Sequence, residues 1–476
     1  MELRKFAVFV AFPAVVAGCA TVFNAREAQE EVLAKGQAAE SREGIRRIDL
    51  RGKSLEQLVD FALTNRPSVT AARLAVDEAR LALKSVAADA PLVSSTPWTA
   101  PKLSVGGAYS AVSEASASRL GWSTEGNASA ALSLDLLVWD FGRNSAEMNA
   151  AAENVLAAEL QLTEEGYVVF DDVATAYFAV LEADALLEVA RTNEYEYAEH
   201  LRQAKDKLEA GEAQRLDVTR ARLDLSQARE KTVAASNRVV TAGAELMRAL
   251  GVSADQGSRD DVMPPQGDLL TSVMRGFAGT FYSVDEAFAL ARTNAPPMAI
   301  ARAKLRAASA RVDYAVADLL PSVSASASLN WTDPMWLWRW GASASQSLFQ
   351  GFRKTTAVDR AVVAMRSAAV AVDEAEQELS LNIELAIANR DNANEAQATA
   401  WASVKAAREN YETVKEQYRE GDASRIDFTD AISDYATSVG SCISAFYRGQ
   451  VAEARLFELT GRMPEYREEK VREIKK

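Results

Sequence analysis

The chain of 476 residues contains the same pattern twice. Residues 205–224 and 415–434 are identical at eight of twenty positions: Lys205, Gly211, Ala213, Arg215, Asp217, Thr219, Ala221 and Asp224. Chance at ordinary composition gives about one or two. The spacing of 210 holds without a gap from Arg143/Arg353 to Gly251/Gly461. Upstream it becomes 229, where Ser54 matches Ser283 and Asn65 matches Asn294. Each serine opens a capping box, with Gln57 or Glu286 three residues on. The first copy therefore carries 19 extra residues between its opening helix and its long helix.

An internal repeat governs every later reading. Each copy predicts a short helix, a strand pair, a long helix, a tight turn and a return helix. Residues 55–90 read as one opening helix of ~54 Å, with Leu55, Leu58, Val59, Ala62 and Leu63 on one face. From Arg143 to Leu208 there is no proline and one glycine, Gly166; from Arg353 to Tyr418 there is neither. Such 66-residue stretches make rods of ~100 Å. The return helix, about Leu216 to Leu250, is ~50 Å, so two short helices match one long one. A rod this long is not covered by its turn partner alone, which predicts lateral packing in a coiled-coil assembly.

Between the helices the period changes to two. In 322–331, Val323, Ala325, Ala327, Leu329 and Trp331 share one face, and Ser322, Ser324, Ser326, Ser328 and Asn330 the other. That is the pattern of a lipid-facing band of ~25 Å over a wet lumen. The expected partner runs from Trp340 to Leu348, with Gln346 falling on its apolar face; copy one offers 102–110 and 128–138. The first tip is rich in Ser, Gly and Asn, as a solvent loop would be. The second holds Trp336 and Trp338, with Trp340 where the strand resumes; these read as an interfacial aromatic belt, a plain surface loop being an equal alternative for Trp336. Four strands leave two open edges, which hydrocarbon does not tolerate. The choice is a soluble sandwich or a barrel shared between chains, and the rods favour the barrel. Three chains would supply twelve strands.

The amino terminus reads as a sorting signal. Arg4 and Lys5 precede the apolar run 6–17, too short for a ~30 Å bilayer core but suited to a secretory signal. The run ends in Val16-Ala17-Gly18-Cys19, which resembles a bacterial lipobox, with the alternative of an ordinary signal peptide and a chance cysteine. The lipobox implies cleavage before Cys19 and a covalent lipid on its thiol. Ala20 in place of Asp implies the outer membrane. Cleavage would take the net charge from −14 to −15.

Composition excludes several classes. The acidic balance speaks against nucleic acid. Two cysteines exclude a disulfide framework and a thiolate zinc cluster, and one histidine makes a histidine metal site or a Ser-His-Asp hydrolase improbable. Glu164-Glu165 and Asp171-Asp172 read as a solvated face, His200 as a polar-face residue, and Cys442 as a small buried thiol. The expectation is that the chain is not an enzyme and holds no cofactor or metal, apart from the lipid on Cys19.

Taken together, the duplication, the Leu-Pro-Ser-Val-Ser strand entry at 320–324, the Trp-Asp-Phe-Gly-Arg junction at 139–143 and the two tip turns resemble the TolC family, in its lipoprotein branch. The resemblance covers about residues 50–462. It implies a mainly α fold with a membrane β-barrel part: a long α-helical coiled-coil barrel plus four β-strands per chain, the 12-stranded barrel completed by a homotrimer. The implied function is the outer membrane channel of a tripartite efflux or type I secretion system. That channel is a passive conduit gated at its periplasmic tip, working with a periplasmic adaptor and an inner-membrane pump and seated in outer membrane lipid. The rival reading is a non-channel coiled-coil scaffold lipoprotein of the cell envelope. The domain plan is 1–18 signal peptide, 19–53 lipidated segment, 54–252 first repeat, 253–282 linker, 283–461 second repeat and 462–476 charged tail.

The family's tip turn matches Tyr418, Gly421, Ser424 and Asp427. Gly421 and its counterpart Gly211 permit a left-handed backbone, and Ser424 with Asp427 can form a capping box. The resemblance adds that Gly211, Gly421 and Ser424 dock an adaptor hairpin. The first copy departs, with Leu208 for the aromatic and Gln214 for Ser. Asp427 and Asp430 match positions of a family aspartate ring, and their i, i+3 spacing puts them on one helix face. Asp217 matches a position that holds the resting tip closed, with Arg215 and Arg425 as plausible partners, while Ala423 stands where the family's tip arginine is expected. The alternative for each acid is a solvated helix-start carboxylate.

Overall fold

Ser54 and Ser283 accept hydrogen bonds from the Gln57 and Glu286 amides and start matching helices, α1 (Leu55–Asn65) and α5 (Val284–Asn294). The computed structural model describes residues 25–34, 53–90, 102–116, 121–211, 214–252, 283–332 and 335–461. Cys19 and the rest of the signal, the linker 253–282 and the tail 462–476 lie outside the described residues. The opening helix expected over 55–90 is two helices. α1 stops at Arg66, which is extended, and α2 (Pro67–Ala88) begins at the proline. Pro67 has no N–H to donate and disfavours helical backbone in the residue before it. Copy two repeats the break, with Ala295 extended before α6 (Pro296–Ala317).

The strands of the first copy are β1 (Lys102–Ser116) and β2 (Gly121–Trp139). Those of the second are β3 (Ser322–Thr332) and β4 (Met335–Ser345). They form one antiparallel sheet in the order β1-β2-β3-β4, so β1 and β4 are its edges. Two expectations are corrected here. The Ser/Gly/Asn-rich tip of the first pair is strand, paired out to Ser116 opposite Gly121. Trp336 and Trp338 belong to β4, opposite Trp331 and Leu329, and Gln346 lies past the strand, donating to the Leu319 carbonyl at 3.1 Å.

The rods follow: α3 (Arg143–Glu209) with its return helix α4 (Arg215–Ala249), and α7 (Arg353–Glu420) with α8 (Arg425–Thr460). α3 spans ~100 Å. Both rods start from a left-handed turn, Phe141-Gly142 in one copy and Gly351-Phe352 in the other. The main core lies at mid-height, where Leu58, Val59 and Ala62 of α1 meet Val169 and Val173 of α3 and Leu246 and Leu250 at the end of α4. Gly251 and Gly461, left-handed at φ 73° and 64°, close the two return helices there. An added Cβ would meet the backbone of Arg66 at 3.0 Å and of Asn294 at 2.7 Å, the helix breaks of each copy.

Three polar residues do not lie where the sequence suggested. Asp172 pairs with Arg66 at 2.5 Å and Asp171 with Arg455 at 3.1 Å, so this acidic pair ties α3 to α1–α2 and to α8, with Asp171 largely buried and Asp172 still partly open to solvent. His200 is 1% exposed, inside the packing between the copies instead of on a polar face. Cys442 is buried as expected, and burial raises its thiol pKa.

Candidate functional site

Two regions carry the chemistry, the sheet at one end of the rods and the helix turns at the other. Pairing aligns Leu132, Leu329 and Trp338 across one face of the sheet, and Leu134, Ala327 and Trp340 on the next rung. Leu103, Val105, Trp338 and Trp340 are exposed, Trp340 to 86%. The opposite face carries a hydroxyl ladder, with Ser104–Ser133 at 2.5 Å, Ser324–Ser343 at 3.2 Å and Ser322–Ser345 at 3.3 Å. A sheet apolar on one side, hydroxylic on the other and open at both edges suits lipid outside and water inside only after its edges are paired.

At the tip, Gly211 (φ 80°) and Gly421 (φ 91°) adopt the left-handed turn. Ser424 accepts from the Asp427 amide at 3.2 Å, and Asp427 returns an acceptor to the Ser424 amide at 3.1 Å. These bonds hold the Asp427 carboxyl below its ordinary pKa. In the first copy Gln214 replaces the serine, yet Asp217 still accepts from the Gln214 amide at 3.0 Å. Asp427 and Asp430 are both exposed near the start of α8. Arg425 does not pair with Asp217. It donates to Asp224 on α4 at 3.0 Å, with both side chains about four-fifths buried, and so joins the two copies. Arg215 is exposed.

Below the turn the two hairpins pack different residues at equivalent positions. Copy one uses Leu201, Leu208, Val218 and Leu225; copy two uses Tyr411, Tyr418, Phe428 and Tyr435. Tyr418 stacks on Phe428 (centroids 4.8 Å) and Tyr411 on Tyr435 (5.6 Å). Lys207 and Lys415 lie over Tyr418 and Tyr411 at 4.5 and 4.8 Å. Lys415 also reaches Glu196 at 3.1 Å, and Tyr197 donates to the Thr429 carbonyl at 3.3 Å. His200 stands 5.5 Å from both Tyr418 and Phe428, and neither ring nitrogen has a hydrogen-bond partner. Burial lowers its pKa; Asp224 works against that and Arg425 and Lys207 add to it. Asn193, one heptad before it, is buried on the same rod, but a polar residue at that spacing gives the sequence no apolar signal that would have found His200.

In each copy a long rod and its return helix run on from a pair of strands, and the four strands make one sheet with an apolar face and two open edges. The outer membrane efflux protein family model matches residues 58–252 and 288–462, and the chain belongs to that family. Solved structures agree in fold. A membrane protein from Pseudomonas aeruginosa is 20% identical with a TM-score of 0.73, covering 86% of this chain and 93% of its own. CusC is 20% identical with a TM-score of 0.74, covering 89% and 95%. The MtrE outer membrane channel of Neisseria gonorrhoeae, in its open state, is 19% identical with a TM-score of 0.72, covering 88% and 93%. No curated protein matches the chain by sequence alone.

Proposed function

We propose that three copies of this chain close a 12-stranded barrel in the outer membrane and a helical tunnel beneath it. The assembly is the passive outer conduit of a tripartite efflux or type I secretion system. The observation that carries the reading is the sheet with open edges at β1 and β4 and one apolar face. Hydrocarbon penalises unpaired strand edges by several kcal/mol per group, so only a closed ring of such sheets is stable there. The free energy of transport comes from an inner-membrane pump, and a periplasmic adaptor docks on the turns at Gly211, Gly421 and Ser424. Asp427 and Asp430 narrow the tip, threefold symmetry gathering six carboxylates that hold hydrated cations and repel anions. Asp217, Arg215 and Arg425 belong to the contacts that hold it closed. Cys19 carries the lipid anchor.

Purified protein is expected to migrate as a heat-modifiable trimer and to conduct in planar bilayers. A monomer without conductance would leave the scaffold lipoprotein as the better reading. Mass spectrometry of the mature amino terminus tests the lipid independently.

A further inference from the structure

We propose that a cavity between the rod of the first copy and the return helix of the second binds a neutral two-ring aromatic molecule carrying a hydroxyl, seated on the Asn193 amide. The site lies within one chain and stands whether or not three chains assemble.

The seam between α3 and α8 is filled on either side of this point. Toward the sheet, Ala185, Cys442, Ile443 and Phe446 form an apolar cluster. Toward the tip, His200 packs against the rings of Tyr418 and Phe428. Between them the seam opens into a cavity of about 300 Å³, walled by Val189, Ile432, Val439 and Ile443 and by Tyr411 and Tyr435. Thr192 and Ala436 also line it, with side chains too short to fill it. Protein interiors are close-packed and leave few voids larger than a water molecule. An apolar hole of ~150 Å³ takes one benzene ring, so twice that volume suits two fused rings.

The polar groups at the wall select the ligand further. Asn193 is 8% exposed, and its amide oxygen has no hydrogen-bond partner. The neighbouring groups are already engaged. The Tyr411 hydroxyl accepts from Lys415 at 2.5 Å, and Lys415 pairs with Glu196 at 3.1 Å. Glu188, exposed at the mouth, pairs with Arg191 at 3.8 Å. Charge is therefore balanced, and an organic ion finds no counter-charge there. Water is a poor occupant too, since it needs roughly two to four polar partners. A neutral aromatic hydroxyl gives Asn193 its missing donor and leaves the rings to the apolar wall.

The duplication supplies an internal comparison. At the positions 210 residues away, the other copy has Ser403 for Asn193, Arg222 for Ile432 and Arg229 for Val439. An apolar wall with one buried amide is thus not a requirement of the rods as such. An occupant touches α3 of one copy and α7 and α8 of the other, so its binding also stabilises their packing.

The test uses the full-length protein in lipid nanodiscs, titrated calorimetrically with α-naphthol and with naphthalene. Ala436→Phe, whose ring fills the cavity, supplies the blank for partition into lipid. Saturable binding of one α-naphthol per chain is expected, about fivefold to tenfold tighter than naphthalene and with a rise in thermal midpoint. Asn193→Leu is expected to bind the two within about twofold of each other. Ala436→Phe is expected to bind neither and to unfold no earlier than wild type. Thr192→Phe fills the same space from an exposed position and replaces it if Ala436→Phe does not fold. No saturable heat beyond the lipid blank, or undiminished binding in a filled variant, overturns the site. Equal affinity of the wild type for α-naphthol and naphthalene overturns the seat on Asn193.

Discussion

The imidazole of His200 stands 5.5 Å from the ring of Phe428 at 65°, edge to face, and carries no hydrogen bond on either nitrogen. It is the one histidine in the chain and it joins the rod of the first copy to the return helix of the second. The charged groups facing it are Asp224 from α4, Arg425 from α8 and Lys207 from its own helix, with the Tyr418 ring from α7.

Burial lowers the folded pKa of His200 below 6.5, so the folded state holds this ring neutral. Its contribution to stability is then complete above the unfolded pKa and is lost as pH falls through the folded one. The thermal midpoint is expected to drop on acidification below about pH 6.5. His200→Leu removes the two unpartnered nitrogens while filling similar space; it is expected to flatten that drop at little cost at pH 7.5. An unchanged acid limb in the variant would mean that other groups set it.

Arg425 and Asp224 make a cross-copy pair largely out of water, where loss of one partner strands the other. Asp224→Ala is expected to cost about 1–3 kcal/mol, less than a fully buried pair because both groups keep some solvent. Arg425→Ala should cost a similar amount, and the double variant little more than either. A double-mutant cycle on thermal unfolding reads the coupling directly. In bilayers either single variant is expected to raise open probability.

How much of this was legible beforehand depended on range. Rods, caps and the tip turns are written locally, in the absence of Pro and Gly from 353–418 and in Ser424 three residues before Asp427. The break at Arg66 was equally local, since Pro67 is in plain view, but apolar spacing continued across it. β4 was misplaced because Met335 and Leu337 alternate with Trp336 and Trp338, so its first four residues are apolar on both faces and the period of two is lost there, returning only from Arg339 onward. The partners of Arg425, Asp171 and His200 lie on the other copy, about 200 residues or more away, and no local pattern encodes which face of a rod meets them.

At mid-height Glu458 contacts Arg455 and faces Asp171, and burial first, then Asp171, pushes its pKa up to about 7. A carboxyl raised in the folded state contributes stability that is complete below its unfolded pKa and lost as pH rises through the folded one. Wild-type stability is therefore expected to decline from about pH 5 to 8 through this group. Glu458→Gln should remove up to about 3 kcal/mol of that decline, with the largest gain in thermal midpoint at pH 8. Equal gains at pH 5 and 8 would point to packing rather than charge.

Gly461 closes α8 in the left-handed region, and a Cβ there would lie 2.7 Å from the Asn294 carbonyl oxygen, which is backbone and has no slack. Gly461→Ala is expected to destabilise by about 2–4 kcal/mol, combining backbone strain with the clash. Gly421 has the same left-handed backbone at the tip but nothing within 4 Å of its Cβ position, so Gly421→Ala should cost only about 1 kcal/mol. Denaturant titration of the two variants separates close approach from conformation.

The two candidate gate acids differ in what else they do, which makes the gate testable one residue at a time. Asp427 supplies the return bond of the capping box that Ser424 opens on α8, so Asp427→Ala removes a charge and that bond together. Ser424 still accepts from the amide of residue 427, and the lost bond is worth about 0.5–1 kcal/mol. Asp430, one turn on and exposed, carries no cap bond. If a ring of carboxylates narrows the tip, Asp430→Ala alone should weaken block by multivalent cations without lowering the thermal midpoint. Asp427→Ala should do both, and Asp427→Asn should lose the charge while keeping most of the cap. The double alanine variant is expected to have the highest conductance of the set. Conductance and cation block that stay at wild-type values in Asp430→Ala and Asp427→Asn, with only Asp427→Ala less stable, would assign these acids to helix capping and remove them from the gate.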